Sequence, residues 1–158
     1  QMWSGPAPDD AIRTLARTPE IAALADRLEQ RRLPVAEAEA EIAAYATSAD
    51  NAHLTALMLA IFDRVEPHRI ALMDGIARYG HKQVALAARI EDHRHKMAKL
   101  ETAPSPDFDA MDEQEKQLDW DMRIFQDRQQ ALTYVCETPV ILEQRVFALA
   151  RAIAAGLK

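Results

Sequence analysis

The sequence predicts an all-α fold: a long antiparallel helical hairpin, with two shorter N-terminal helices that complete a four-helix bundle at one end. Three observations lead there. Glycine occurs only 4 times in 158 residues and aromatics make up 6%, while alanine, leucine, glutamate and arginine, the best helix formers, dominate. Apolar residues recur at alternating threes and fours from Leu54 to Leu100 and again from Met111 to Ile153, the spacing of a helical seam, and no run alternates at period two. Between the two runs stands Thr102-Ala103-Pro104-Ser105-Pro106, where two prolines in three residues stop a helix and reverse the chain.

The N-terminal helices occupy 9–47. Asp9 and Asp10 can cap a first helix reaching to about Arg32. Thr18-Pro19 places a cap and a first-turn proline inside it, so the helix bends or restarts there. Leu33-Pro34 opens a shorter helix to about Thr47, and Ser48 to Asp50 supplies caps for the next.

The first limb of the hairpin covers 50–102 and the second 108–155. On the first, the seam runs 54, 58, 61, 65, 68, 72, 76, 79, 83, 86, 90, 93, 97, 100, with one extra four near Leu72, a single stutter. His68, Gln83 and His93 fall on it. On the second it runs 111, 114, 118, 122, 125, 128, 132, 135, 139, 142, 146, 149, 153. Its phase holds through Pro139, which favours a kinked continuous helix, although Thr138-Pro139 could also cap a new one.

Folding the limbs about the turn pairs positions whose numbers sum to about 209. Pro67 then faces Leu142 and Pro139 faces Ile70, two kinks at one level. Residues 81–102 carry five Lys or Arg against three acids, whereas 107–127 carries eight acids against Lys116 and Arg123. A basic limb is therefore expected to face an acidic one, selecting register more than closing the hairpin, since an exposed pair contributes only about 0–1 kcal/mol. The stretches 54–79 and 132–153 are apolar on more than one face and should pack the N-terminal helices as the bundle. The thinner seam of 81–127 is expected to form a projecting arm, since a limb of about 50 helical residues is roughly 75 Å long.

Composition excludes several functions. A net charge of -6 argues against a nucleic-acid partner, because such binding draws on clustered Lys and Arg. The longest apolar run, Ala56 to Phe62, is far below the roughly 20 residues that span a bilayer. Cys136 is the single cysteine and, next to Val135 on the stripe, is expected to pack rather than react. No nucleophile elbow, phosphate-cradling loop or dinucleotide fingerprint occurs, so neither an enzyme nor a cofactor is expected. The polar, proline-containing opening Gln1 to Asp10 is the pattern left when a signal peptide is removed. A periplasmic or secreted location is the expectation, with the cytoplasm as the alternative.

Two surfaces could carry function. The first is the arm, where Trp120 falls off the stripe of Leu118, Met122 and Phe125, and an uncovered tryptophan on a charged helix suits a binding anchor. Phe108, Met111 and Arg94 complete this interaction set, for a protein partner or a homodimer. The alternative is the proline level, where Glu66 and His68 come near Glu137 and Glu143, and carboxylates beside an imidazole can hold a ligand or metal or move a proton. The bland reading there is a hydrogen-bonded His68 with solvated glutamates, or glutamates paired with Arg145. Glu91-Asp92-His93-Arg94-His95 resembles a metal box, but residues two apart do not share a helix face, so ion pairing or pH sensing by His93 and His95 suits it better. No Glu-x-x-His pair of the di-iron type occurs. The leading expectation is a non-catalytic helical interaction protein, an adaptor, chaperone-like or self-associating, that uses 81–127 as its contact surface. The alternative is a small-ligand or metal-binding helical bundle.

Overall fold

The computed structural model describes residues 2–158. All regular structure among them is helical: α1 (Asp10–Leu15), α2 (Pro19–Leu28), α3 (Val35–Ala46), α4 (Asn51–Glu101) and α5 (Phe108–Ala155). The long α4 packs against α5 and the shorter helices join them, which is the helical hairpin bundle the sequence predicts.

Local chemistry sets the helix ends. Asp9 Oδ1 accepts from the Ile12 amide at 2.9 Å and opens α1. The expected first helix is two helices. Pro19 lacks an amide hydrogen and has its φ fixed, so it suits a first helical position and cannot continue α1. Thr18 turns its hydroxyl back onto the Leu15 carbonyl at 2.8 Å rather than capping α2. Pro34 stands in extended geometry before α3. Asp50 Oδ1 accepts from the His53 amide at 2.9 Å, and Asp107 Oδ1 accepts from the Ala110 amide at 3.0 Å. These carboxylates answer amides that a helix start leaves unpaired and complement its positive end. Pro67 and Pro139 both lie inside continuous helices, so Thr138-Pro139 does not begin a new one.

The chain divides into two compact units, Gln1–Leu72 with Pro139–Lys158, and Met73–Thr138. In the first, α2 contributes Ile21, Ala25 and Leu28 to the core, α3 Ala38 and Ile42, α4 the stretch from Leu54 to Val65, and α5 Val146, Leu149 and Ile153. Burying a side chain of the Leu or Ile class is worth about 1.5–3 kcal/mol, and most of these are fully covered. Met2 and Trp3 pack against this core from outside the helices. The aromatic ring of Trp3 lies over Gly5, where a Cβ would meet it at 2.1 Å. At the other end of the unit, a Cβ on Gly156 would sit 2.8 Å from that of Ala46, so only glycine lets the end of α5 approach α3 this closely.

Two arginines tie α2 to the hairpin helices. Arg64 on α4 pairs with Asp26 and donates to the Ala22 carbonyl at 3.2 Å. Arg145 on α5 is buried and donates through Nε and Nη2 to the Leu28 carbonyl at 3.0 and 2.6 Å, and through Nη1 to the Leu33 carbonyl at 2.8 Å. A guanidinium at the C-terminal end of α2 answers orphan carbonyls and the negative end of the helix together. This occupation corrects the expectation that Arg145 might neutralise the nearby glutamates.

The second unit is a two-helix hairpin. Its seam contains Gln83, Leu86 and Ile90 of α4 and Asp121 of α5, all buried. Gln83 Nε2 donates to the Phe125 carbonyl at 3.1 Å, Tyr79 reaches the Arg128 carbonyl at 3.4 Å, and Arg89 binds Asp121. Each of these pairs sums to within two of 209, the register predicted from the turn. In the first unit Arg69 approaches Glu143 at 3.7 Å, within three of the same sum. The predicted stripes are buried or half-buried at every position except His68 and Val135, which are exposed. His68 follows Pro67, and Val135 is the residue whose carbonyl loses its helical donor at Pro139, so both exposed positions stand beside a proline. Cys136, expected to pack, follows Val135 and is exposed with it.

Candidate interaction surface

The Met73–Thr138 unit holds most of its charge outside the seam. Of the eight acids in 107–127, only Asp121 forms an ion pair among the described residues. Asp121 is 4% exposed and receives Arg89 in bidentate fashion, with Nε and Nη2 each at 2.5 Å. The Arg89 guanidinium hydrogen-bonded to it holds its carboxyl below the usual range, against the opposing effect of burial. His93 adds a contact, with Nε2 at 3.7 Å from the same carboxylate and Nδ1 at 3.1 Å from Gln114 Oε1.

The expected pairing of a basic limb with an acidic one reduces to this one ion pair. Arg94 pairs instead with Glu91 at 2.6 Å, and Lys96 with Asp92 at 2.6 Å, both one turn back on α4. Partners at i+3 and i+4 are the nearest available on a helix surface. The acids of 107–127 that lie off the seam are exposed and form no ion pair with α4 among the described residues. The apparent box Glu91 to His95 is thus an ion-paired face.

Of the four expected interaction residues, Phe108, Met111 and Trp120 divide between faces of α5, and Arg94 lies on α4. Phe108, Asp112, Glu115, Asp119 and Met122 recur at intervals of four, three, four and three, so they form one helical stripe beside the seam. Phe108 is 72% exposed, and Met111 is half-buried on the neighbouring seam. This stripe leads into a groove of about 340 Å³ between α4 and α5. Apolar Ala87, Ile90, Met122 and Phe125 line it, flanked by the exposed Glu91, Arg94, Gln126 and Gln129. Trp120, 63% exposed, lies about a third of a turn round the helix on another stripe with Asp109, Glu113 and Asp127, at spacings of four and seven. Val84 on α4 and Tyr134 on α5 are also open, at 70% and 74%.

The proline-level residues do not assemble as a metal set. Glu66 binds Arg69 through both oxygens at 2.8 and 2.9 Å, and Arg69 also reaches Glu143 at 3.7 Å. The Arg69 hydrogen bonds lower the Glu66 carboxyl from its ordinary value. His68 is exposed, and Glu137, which belongs to the Met73–Thr138 unit, is exposed as well. No group of three or more His, Cys, Asp or Glu side chains among the described residues could hold a metal ion. The reason is electrostatic: an arginine one turn along the helix answers the carboxylates that a cation would otherwise draw. What the level does form is a cleft of about 390 Å³ with apolar walls from Met2, Phe62, Val65, Val146 and Phe147, and with Glu66, Arg69 and Glu143 on its polar side. Sequence reasoning missed this cleft because Met2 lies outside every helix and carries no periodic signal.

No helix among the described residues is long and apolar enough to cross a membrane. No protein-family model, curated protein or solved structure matches the chain.

Proposed function

We propose that the chain is a non-catalytic helical interaction protein and that residues 81–127, within the Met73–Thr138 unit, form its contact surface. The observation that carries this reading is the uncovered apolar surface of a two-helix unit. Val84, Phe108, Trp120 and Tyr134 are 63–74% exposed there, and covering a side chain of that size contributes roughly 1.5–3 kcal/mol. Large aromatic side chains open to solvent on one small unit are the usual anchors of protein interfaces. The exposed acids around them add selectivity and faster encounter more than affinity.

Affinity capture from cells that encode the protein tests the proposal, comparing the intact chain with a Val84→Glu, Phe108→Glu, Trp120→Glu variant of equal helical content. Sedimentation of both forms runs alongside. A partner or an oligomer present with the intact chain and absent with the variant supports the contact surface. Equal behaviour of the two forms refutes it.

A second reading, ligand binding in the bundle, draws support from the apolar cleft beside Glu66, Arg69 and Glu143. It requires a bound small molecule that is lost on Phe147→Glu and retained by the Val84, Phe108, Trp120 variant.

A further inference from the structure

The structure assigns a site for a small amphiphilic carboxylate to the pocket that the α2–α3 connection forms with α5. It lies in the unit of Gln1–Leu72 with Pro139–Lys158, apart from the contact surface proposed above. The pocket holds about 350 Å³, a volume within the range of small-molecule sites. Leu33 and Val35 from the connection and the start of α3, and Ile141 and Leu142 from α5, give it apolar walls. Val35 and Ile141 are 37% and 44% exposed, so these walls offer apolar surface that the body of a ligand can cover. The charged groups of the lining are Arg31 and Arg145, and no acid is among them.

Arg145 decides the head group. It is 8% exposed, and an arginine withdrawn this far from water ordinarily has a carboxylate beside it. Arg64, which also reaches carbonyls of α2 and α4, has Asp26, and Arg69 has Glu66 and Glu143. Arg145 has no acid among the described residues. Its partners are the Leu28 and Leu33 carbonyls, which take three of its five N–H groups. Carbonyl dipoles offset part of the cost of burial but carry no counter-charge, and burial pushes the Arg145 pKa down with no acid to oppose it. The acids nearest in sequence do not supply one: Glu143 approaches Arg69 at 3.7 Å, and Glu29 and Glu37 stand outside the lining. The two N–H groups that remain, one on each terminal nitrogen, match in number the two oxygens of a carboxylate. Arg31, exposed and without an ion pair among the described residues, adds a second cation to the lining. An alcohol head would leave the buried charge unanswered, and an ammonium head would be repelled by it.

The test titrates the full chain, labelled with nitrogen-15, with octanoate below its micellar concentration, and in parallel with octanol, octylammonium and acetate. Backbone amide signals and the Arg145 Nε–H signal report where each probe binds. The expected result is one octanoate per chain, with shifts at Arg145 Nε–H and at Leu33, Val35 and Ile141. Octanol should bind about tenfold more weakly, the effect of losing charge-assisted hydrogen bonds, and acetate and octylammonium should leave these signals in place at the same concentrations. Arg145→Met should abolish the preference for octanoate over octanol. Two exposed positions give variants that keep the core intact: Arg31→Gln should weaken octanoate about threefold, and Ile141→Glu, which brings a carboxylate of the chain's own to the wall, should abolish its binding. Phe147→Glu, in the cleft beside Glu66, should leave octanoate binding unchanged.

Octanol bound as tightly as octanoate would make the pocket a plain apolar patch and would overturn the proposal. So would acetate that binds as well as octanoate, which would need no apolar wall, or an octanoate that shifts no signal. Shifts confined to Met2, Phe62 and Phe147 and lost on Phe147→Glu would place the ligand in the other cleft and remove the site at Arg145. The Val84→Glu, Phe108→Glu, Trp120→Glu variant should bind octanoate like the parent, so failure of the contact-surface reading and failure of this one are told apart.

Discussion

Replacing Arg145 by methionine keeps most of the apolar stem and removes every donor of the guanidinium. The Leu28 carbonyl then loses contacts at 3.0 and 2.6 Å, and the Leu33 carbonyl one at 2.8 Å. Two carbonyls left without these partners at a buried side chain cost about 1–3 kcal/mol each, or roughly 2–6 together. Part of this is offset, because a charge partly withdrawn from water returns to solvent on unfolding, a penalty already visible in burial pushing the Arg145 pKa down. Methionine also regains some apolar contact. The expected net loss is about 2–3 kcal/mol, and Arg145→Lys, which has no planar fork to bridge both carbonyls, should lose about half as much. The two tryptophans, Trp3 and Trp120, lie in different units. Urea unfolding followed by Trp3 fluorescence in a Trp120→Phe background therefore reads the unit that contains Arg145. An Arg145→Met protein within about 0.5 kcal/mol of the parent would refute the reasoning, since surface substitutions away from such features fall in that range.

Asp121 makes a pH-dependent prediction for the other unit. Its carboxyl is depressed by Arg89, so its contribution to stability is present above the usual carboxylate range and lost as pH falls through the depressed value. The destabilisation caused by Asp121→Asn, followed by Trp120 fluorescence in a Trp3→Phe background, should be largest at neutral pH and vanish in acid; a difference that persists unchanged once Asp121 is protonated would sink the assignment. Cys136, exposed on α5, should react with a thiol reagent in the folded chain at nearly the rate of the unfolded one. Protection that is lost only in denaturant would restore the buried cysteine that its place beside Val135 suggests.

The groove and its acids were partly legible before any coordinates. The sum rule about the turn places Arg89 opposite position 120, one residue from its actual partner Asp121, so the buried ion pair could have been found by asking which acid near that level lies on the seam edge. Asp121 follows Leu118 by three and precedes Phe125 by four, which is that edge. Trp120, its neighbour, drew notice because it is apolar off the stripe, whereas Asp121 is charged on it, a weaker signal when His93 and Gln83 interrupt the seam too. The arginine that pairs with the glutamates of the proline level was harder to name. Glu66 and Glu143 look like free ligands in a list of residues, but Arg69, one turn from Glu66, collects both.

By itself the sequence determined what repeats along the chain: four stretches of helix, the first bent or restarted at Pro19 and the others beginning after Pro34, at Asp50 and after Pro106, the stripe of threes and fours, and the register set by the turn at Pro104 and Pro106. These follow from helix geometry and from the φ and hydrogen-bond limits of proline, which act over one or two turns and are written in adjacent residues. Only the tertiary structure decided that Arg145 closes the end of α2, that Met2 and Trp3 join the core, and that Asp112, Glu115 and Asp119 find no cation on α4. Those outcomes depend on which surfaces meet across separations of up to 117 residues, and on the competition of an ion partner one turn away with a more distant one. Spacing along a single chain does not encode that competition.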